Sequence, residues 1–470
     1  MEIKIDRQKS QSLYQQIAEQ IKTQISTGRL PAGARLPTVR QLARQLTVSR
    51  LTIQDAYGEL KGQGWIEATV GRGTFVSSHS VPTMLAPSIG QTLSPVALMH
   101  DIMFIKHATG LRSLAVADPD SAFFPLDEFN SAVSQALSVG ATLFHYGSTL
   151  GDSHLRVALS DWLLTQKIVA MPDTIMITNG AMHAFSLAVR TLAHAGDKVL
   201  IERPSFIGFL NVLRAHGIQP ISVPLDEHGL SMSELERQIQ EHRPRFICTI
   251  PNFHNPTGIC MAMERRQQLL DLAQRYNTII IEDDCYTSLA YDHPAPPHLK
   301  SLDVDGRVIH VGGFAKNLMP GLRLGYLVAP HDLLPAFMTI RHASDVCGAP
   351  LLQRAMAYFL EDGGLTRHLE RTLPIYRRRR DATARALAKY IPDAKWTLPH
   401  GGFSFWLLLP QQNDPGQVYR QALQQRLAIL PGAAFFDDPQ PQQTYFRLCF
   451  GNQSEAALEA CIAQLGKLIV

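Results

Sequence analysis

No stretch of this 470-residue chain is apolar for long enough to span a bilayer, which takes about 20 residues. The opening residues, MEIKIDRQKSQSLYQQ, lack the apolar segment of a secretory signal, so a cytoplasmic address is expected. Cysteine is sparse. Cys248, Cys260, Cys285, Cys347, Cys449 and Cys461 are scattered, and no two are close enough for a redox dithiol or a paired metal-ligand motif. Reduced, mostly buried thiols and no metal are therefore expected. Internal repeats and low-complexity tracts are missing as well. Charged residues make up only 18% against an apolar 45%, which excludes a disordered chain and predicts a globular protein of two or three domains. The net charge of +3 hides an asymmetry: residues 1–80 carry 11 Lys plus Arg against 6 Asp plus Glu, and the remainder 33 against 35. A basic head on a near-neutral body suits a polyanionic partner for the head.

What is present begins with a helix from Ser12 to near Gly28, on which Leu13, Ile17, Ile21 and Ile25 recur every four residues. Pro31 and Gly33 break the chain. A second helix fits Thr38 to Leu46, with Leu42, Ala43 and Leu46 inward, and Ser49 can cap a third with Ile53, Ala56, Tyr57 and Leu60 as its buried stripe. Two β-prone stretches, Trp65–Thr69 and Thr74–Ser77, flank Val70-Gly71-Arg72-Gly73, which reads as the tip of a wing. The layout is a winged helix-turn-helix. A helix entering the major groove by its N-terminal end presents Arg50 and free N–H groups to guanine or phosphate, with Gln54 on the same outward face and Thr52 beside them. Arg40 can reach the backbone and Arg72 the minor groove. The alternative is a helical dimerisation head with solvated arginines. Residues 10–77, through LYQQIAEQI, LPTVRQLARQLTVSRLTIQDAYGEL and GWIEATVGRGTFV, resemble the heads of GntR-family bacterial repressors. That resemblance implies DNA contacts at Arg40, Ser49, Arg50, Thr52, Gln54, Arg72 and Gly73.

Residues 1–78 are thus expected to form the DNA-binding domain and 79–110 a linker, since SSHSVPTMLAPSIGQTLSPVALMH is rich in Ser and Pro with no sustained period. The alternative for part of it is an arm packed on the large domain. From Val199 onward, short apolar runs alternate with helix-length stretches, which predicts an α/β domain with a mostly parallel sheet and helices on both faces. Ligands gather at the C-terminal strand ends of such sheets.

Those ends carry what pyridoxal 5'-phosphate (PLP) demands. Lys316, in Gly-Gly-Phe-Ala-Lys after the strand VIHVGGF, supplies the Schiff-base amine. Asp283, at the end of TIIIE, can pair with the pyridinium. Asn255 in HNPTG and Tyr286 can donate to the phenolic oxygen. Gly180, Ala181 and Met182 open a helix whose N–H groups suit the phosphate, Arg323 adds a cation, and Phe206 can stack on the ring. GAMHAF, AGDKVLIERPSF, PNFHNPTG, IIIEDDCY and VGGFAKNLMPGLRLGYL resemble fold-type I aminotransferases across about residues 110–470. This implies a PLP domain at 111–470 with a small C-terminal α/β subdomain at about 345–470. It also implies Arg447 as a bidentate binder of a substrate carboxylate, Tyr146 reaching the phosphate of a neighbouring subunit, and a homodimer with sites at its interface.

Head and body in this order resemble the MocR-type regulators. The resemblance implies a transcriptional regulator whose PLP senses an amino compound by forming an external aldimine; the alternative is a working aminotransferase with an appended head. The chain departs from the pattern at three places. Phe206 stands where tyrosine is usual, Ala315 where serine is usual, and Met182-His183 replaces a glutamine-rich pair. Losing one neutral hydrogen bond costs roughly 0.5–1.5 kcal/mol, so these changes bear on turnover more than on PLP binding. No second arginine lies at residues 206–210, which argues against a dicarboxylic effector.

Overall fold

A capping box opens the second helix of the head, where the sequence places it. In the computed structural model, which describes residues 3, 5–6, 12–26, 30, 33–62, 65–69, 73–77, 90, 93–108, 110–437 and 444–469, the head consists of α1 (Leu13–Ser26), α2 (Val39–Leu46), α3 (Arg50–Gly62), β1 (Ile66–Thr69) and β2 (Gly73–Val76). Thr38 accepts from Gln41 N, and the Gln41 side chain accepts from Thr38 N. Ser49 Oγ accepts from Thr52 N at 3.0 Å and starts α3. Ile17, Ile21, Leu42, Ile53, Ala56, Leu60, Ile66 and Val76 close one apolar core, and Tyr57 donates to Pro37 O at 2.8 Å. Strands β1 and β2 pair antiparallel. The wing tip at Val70, Gly71 and Arg72 lies outside the described residues.

The chain divides into two compact units, residues 1–91 with 104–111 and residues 92–103 with 112–470. The stretch expected as a tether is not without structure, because α4 spans Pro95–His107. Its segment PVALMHDIMFIKH is largely apolar, and the Ser/Pro-rich composition upstream hides it in the sequence. Asp101 of α4 accepts from Tyr419 Oη at 2.9 Å.

The body continues with β3 (Arg112–Ser113), α5 (Leu126–Leu137), α6 (Ser153–Thr165), β4 (Ile175–Thr178), α7 (Ala181–Leu192), β5 (Lys198–Arg203), α8 (Ile207–Ala215), β6 (Gln219–Asp226) and β7 (Gly229–Leu230). Next come α9 (Met232–His242), β8 (Phe246–Thr249), α10 (Met263–Arg275), β9 (Ile279–Asp284), α11 (Leu299–Leu302), β10 (Val308–Gly313) and β11 (Gly325–Val328). The C-terminal part holds α12 (Leu334–Asp345), α13 (Pro350–Glu361), α14 (Gly364–Tyr390), β12 (Ser404–Leu408), α15 (Pro415–Gln424), β13 (Leu427–Ala428), β14 (Leu430–Pro431), β15 (Tyr445–Cys449) and α16 (Glu455–Gly466).

Eight strands form the central sheet in the order β4-β11-β10-β9-β8-β5-β6-β7, and within it only β11 and β7 run against the rest. Alternation along the strands feeds two cores. Val199, Ile201, Ile281 and Ile309 pack with α7, α8 and α12, whereas Leu200, Ile280 and Val308 pack with α9, α10 and α11. Helices therefore cover both faces, which is why these strands read as unbroken apolar runs. A second, three-stranded sheet of order β12-β15-β14 carries the C-terminal subdomain. β3 pairs in parallel with β13, which ties residues 112–113 to the C-terminal part of the chain.

Candidate functional site

The parallel strands end where the sequence places its polar residues. At the end of β4, Gly180 takes φ +95°, and a Cβ there would lie 2.9 Å from Arg323 Nη2. Arg323 Nη2 donates to Asn179 O at 2.9 Å. Gly325 of β11 is pressed still harder, since a Cβ on it would lie 2.5 Å from the carbonyl carbon of Gly180. Lack of side chains thus lets Arg323 and β11 approach the first turn of α7, where Ala181 and Met182 present N–H groups with no intrahelical partner. His183 Nδ1 accepts from Asn179 N at 3.1 Å, which shows what this histidine does in place of the usual glutamine.

Phe206 precedes α8, edge-on to Phe209 with ring centroids 5.4 Å apart. A Cβ on Gly208 would lie 2.5 Å from Phe206 Cε1 and 3.0 Å from Met182 Sδ, so Phe206 and Met182 share one corner. Asn255 is buried, and its Oδ1 accepts from Arg447 Nη1 at 3.0 Å, which turns the amide NH2 into its remaining donor. Behind it, His254 Nε2 lies 3.1 Å from Glu202 Oε2, both buried. Tyr286 is 3% exposed, and burial pushes its phenol well above the ordinary range.

Asp283 is 4% exposed, and burial pushes its carboxyl up to about 7, against a hydrogen bond from the Cys285 thiol at 2.8 Å. Among the described residues it forms no ion pair with a lysine or arginine. Lys316 follows β10, half-buried, and its Nζ donates to Ala117 O at 2.7 Å and to Asp118 Oδ1 at 3.2 Å.

Arg447, expected to fork onto a substrate carboxylate, makes hydrogen bonds within the chain. It is 4% exposed, its Nη2 donates to Ala115 O at 2.6 Å and its Nη1 to Asn255, while Nε has no hydrogen bond. A buried guanidinium must satisfy its donors, and here the chain itself supplies two of the acceptors. Tyr146 is 89% exposed, in a surface hollow with Phe144, His145, Asp345, Cys347 and Pro350. In the head, Arg40, Ser49, Arg50 and Gln54 are exposed and Thr52 half-exposed. Gly73 takes φ +116°, and a Cβ there would lie 3.2 Å from Arg35 Nε.

Sequence reasoning missed Ala115, Ala117, Asp118, Cys285 and Arg35. Cys285 stands in the motif IIIEDDCY beside Asp283, a signal that was available. The others become neighbours only through the fold.

The donor set fits PLP. A buried acid without a lysine or arginine, an amine one strand away, an amide with a spare donor and a glycine-lined helix start with an arginine are the four things the cofactor needs. Arg447 Nε, buried and without a hydrogen bond, points to one further anionic group.

Comparison with known proteins agrees. Residues 109–465 match the model of aminotransferase class I and II, and residues 13–76 that of bacterial regulatory proteins of the gntR family. The uncharacterized HTH-type transcriptional regulator YdfD of Bacillus subtilis is 30% identical over 469 residues, covering 97% of this chain and 96% of that protein. The HTH-type transcriptional regulator TauR of Rhodobacter capsulatus is also 30% identical, over 481 residues, with 97% and 96% covered. Among solved structures, a kynurenine aminotransferase of Pyrococcus horikoshii in complex with PMP has TM-score 0.75 and 30% identity, covering 79% of this chain and 93% of that one. The α-aminoadipate aminotransferase LysN of Thermus thermophilus, complexed with N-(5'-phosphopyridoxyl)-L-leucine, has TM-score 0.73 and 27% identity, covering 79% and 94%. With one family model matched across its body and another across its head, and with relatives aligned over nearly its whole length, the chain belongs to the aminotransferase class I and II family and has the MocR-type architecture, a gntR-family head fused to an aminotransferase domain.

Proposed function

We propose that this protein is a DNA-binding transcriptional regulator whose body holds PLP on Lys316 and responds to an amino compound bearing a carboxylate. The observation that carries the reading is the joining, in one chain, of an exposed recognition-helix start at Ser49–Gln54 with a buried Asp283 that, among the described residues, has no lysine or arginine counter-ion.

PLP supplies an electrophilic carbon for amines and an electron sink in its ring. This chain's residues do the rest. Asp283 would pair with the ring nitrogen and keep a proton there. Asn255 Nδ2 and Tyr286 Oη would donate to the phenolic oxygen, Phe206 would cover the ring, and the Ala181 and Met182 N–H groups with Arg323 would hold the phosphate. Lys316 Nζ, which donates to Ala117 O and Asp118 Oδ1 in this structure, would be the amine that holds the cofactor. Arg447 takes the amine's carboxylate, giving up the Ala115 carbonyl to do so. Tyr146 reaches the phosphate of a second copy in a homodimer. The effector carries one carboxylate rather than two, because no basic residue stands at 206–210. In the head, Arg50 reads a base edge, Gln54 and Thr52 assist, and Arg40 and Arg72 hold phosphates.

Titration of PLP-loaded protein with amino acids, followed by imine-band absorbance and by operator binding, tests the reading. An amine-dependent change in both, abolished in Lys316→Ala, is expected. Normal operator control by Lys316→Ala refutes it.

The retention of Lys316, Asp283, Asn255, Tyr286, Arg323 and Arg447 together favours one second reading, a working aminotransferase. Turnover with a keto acid at roughly 1 per second or faster would establish it.

A further inference from the structure

On β9, strand alternation sends Asp283 to one face and its neighbours Glu282 and Asp284 to the other. There they meet two histidines. His310 lies directly across the ladder from Glu282, and His298 precedes α11. Glu282 is fully buried and saturated: it accepts from Leu299 N at 2.6 Å, from Lys300 N at 3.0 Å and from His310 Nδ1 at 2.9 Å. With Nδ1 committed, His310 directs Nε2 toward Asp284 Oδ2, 3.9 Å away, and His298 Nδ1 stands 3.6 Å from the same oxygen. Neither nitrogen has a hydrogen bond, and the two residues are 0% and 3% exposed. One donor atom each from Glu282, His298 and His310 lies within 4.8 Å of the others.

Two unpaired ring nitrogens converging on one carboxylate oxygen in the interior are costly unless something binds them all. The nearby ammonium of Lys300 does not, being held by Asp303 and the Val308 carbonyl. A divalent cation accepts both nitrogen lone pairs and balances the two carboxylates. Zinc bonds of about 2.0–2.1 Å to nitrogen and oxygen set tetrahedral ligand separations of about 3.3 Å, a few tenths of an ångström inside the distances of the two histidine nitrogens to Asp284 Oδ2. Imidazole and carboxylate donors favour a zinc-like ion over calcium or magnesium. The carboxylate behind His310 is the usual orienting partner of a metal-bound histidine.

The geometry points to a binding site for one divalent transition-metal ion of the zinc class, with His298 Nδ1, His310 Nε2 and Asp284 Oδ2 as ligands and Glu282 holding His310 in place. The expectation of no metal rested on cysteine spacing, and these ligands come together only through the β9–β10 ladder and the α11 turn.

The test uses full-length protein stripped with a chelator, incubated with Zn2+ and passed over a desalting column. One zinc retained per chain is expected, falling at least tenfold in His298→Gln, with affinity 10–100-fold weaker in Glu282→Gln, on the order of losses seen for orienting carboxylates. No retained zinc in the unaltered protein, or full retention by a folded His298→Gln, overturns the site. Because a misfolded variant would lose metal for another reason, Co2+ loading of the unaltered protein gives an independent reading. A visible absorption band of four-coordinate nitrogen and oxygen ligation supports the site, and a band of thiolate ligation or none at all overturns it.

Discussion

Asp283 is a carboxylate that the fold has stripped of water and, among the described residues, has not given a lysine or arginine. A charged hydrogen bond is worth about 1.5–3 kcal/mol, so Asp283→Asn should weaken PLP retention on the order of 10–100-fold, measured by absorbance after dialysis. Unchanged retention would mean that the ring nitrogen does not face this residue. Lys316, Asp283, Asn255, Tyr286 and Arg323 were open to nomination as site candidates from the sequence, because each sits in a short local motif at a strand end or turn. The partners of Lys316 were not, since Ala117 and Asp118 are nearly 200 residues away and an alanine offers only its backbone. The hydrogen bonds of Arg447 to Asn255 and Ala115 were not legible either, because these acceptors also come from distant segments.

Among the elements, β11 tolerates no side chain at Gly325. A methyl group there meets backbone atoms of the β4–α7 turn rather than a flexible side chain, so Gly325→Ala should cost about 1–3 kcal/mol and weaken phosphate binding at the same turn. Urea denaturation with and without PLP checks both effects. In α14, burial, assisted by Arg371, lowers the pKa of His368 to about 4. The unfolded chain takes up a proton near 6.5 that the folded chain refuses, so the stability tied to this residue is full above 6.5 and lost as pH falls toward 4. The difference amounts to about 3 kcal/mol at most, and His368→Gln should flatten that part of the stability-against-pH curve. The three head helices, the hairpin and the alternating body were readable from periodicity and caps. Helix α4 was not, because an apolar run without a clear polar face carries little helical signal, and β3 was not, because two residues carry none.

For the whole molecule, operator affinity should fall steeply with salt, since phosphate contacts release counterions. Arg50→Ala should cost about 1–3 kcal/mol and relax base preference, whereas Arg40→Ala should weaken binding across sequences and lower the salt slope by about 1. Gel-shift titrations at several salt concentrations separate the two. If the amine shifts operator affinity by some factor, operator DNA must shift amine affinity by the same factor, which titration of the PLP absorbance with and without DNA measures. Unequal factors would mean that a third species intervenes.

Residues 115–117 hold two cations of the candidate site at once: Arg447 through the Ala115 carbonyl and Lys316 through the Ala117 carbonyl. The neighbour of this strip, Leu114, is stitched to β15 and β13, with Cys449 N donating to Leu114 O at 2.7 Å and Leu114 N to Ala428 O at 2.8 Å. A ligand that claims the lysine and the arginine therefore unfastens one edge of this strip while the other stays sewn down. The strip becomes a gauge of occupancy, whose backbone amides should exchange hydrogen faster when both hands of the site are full.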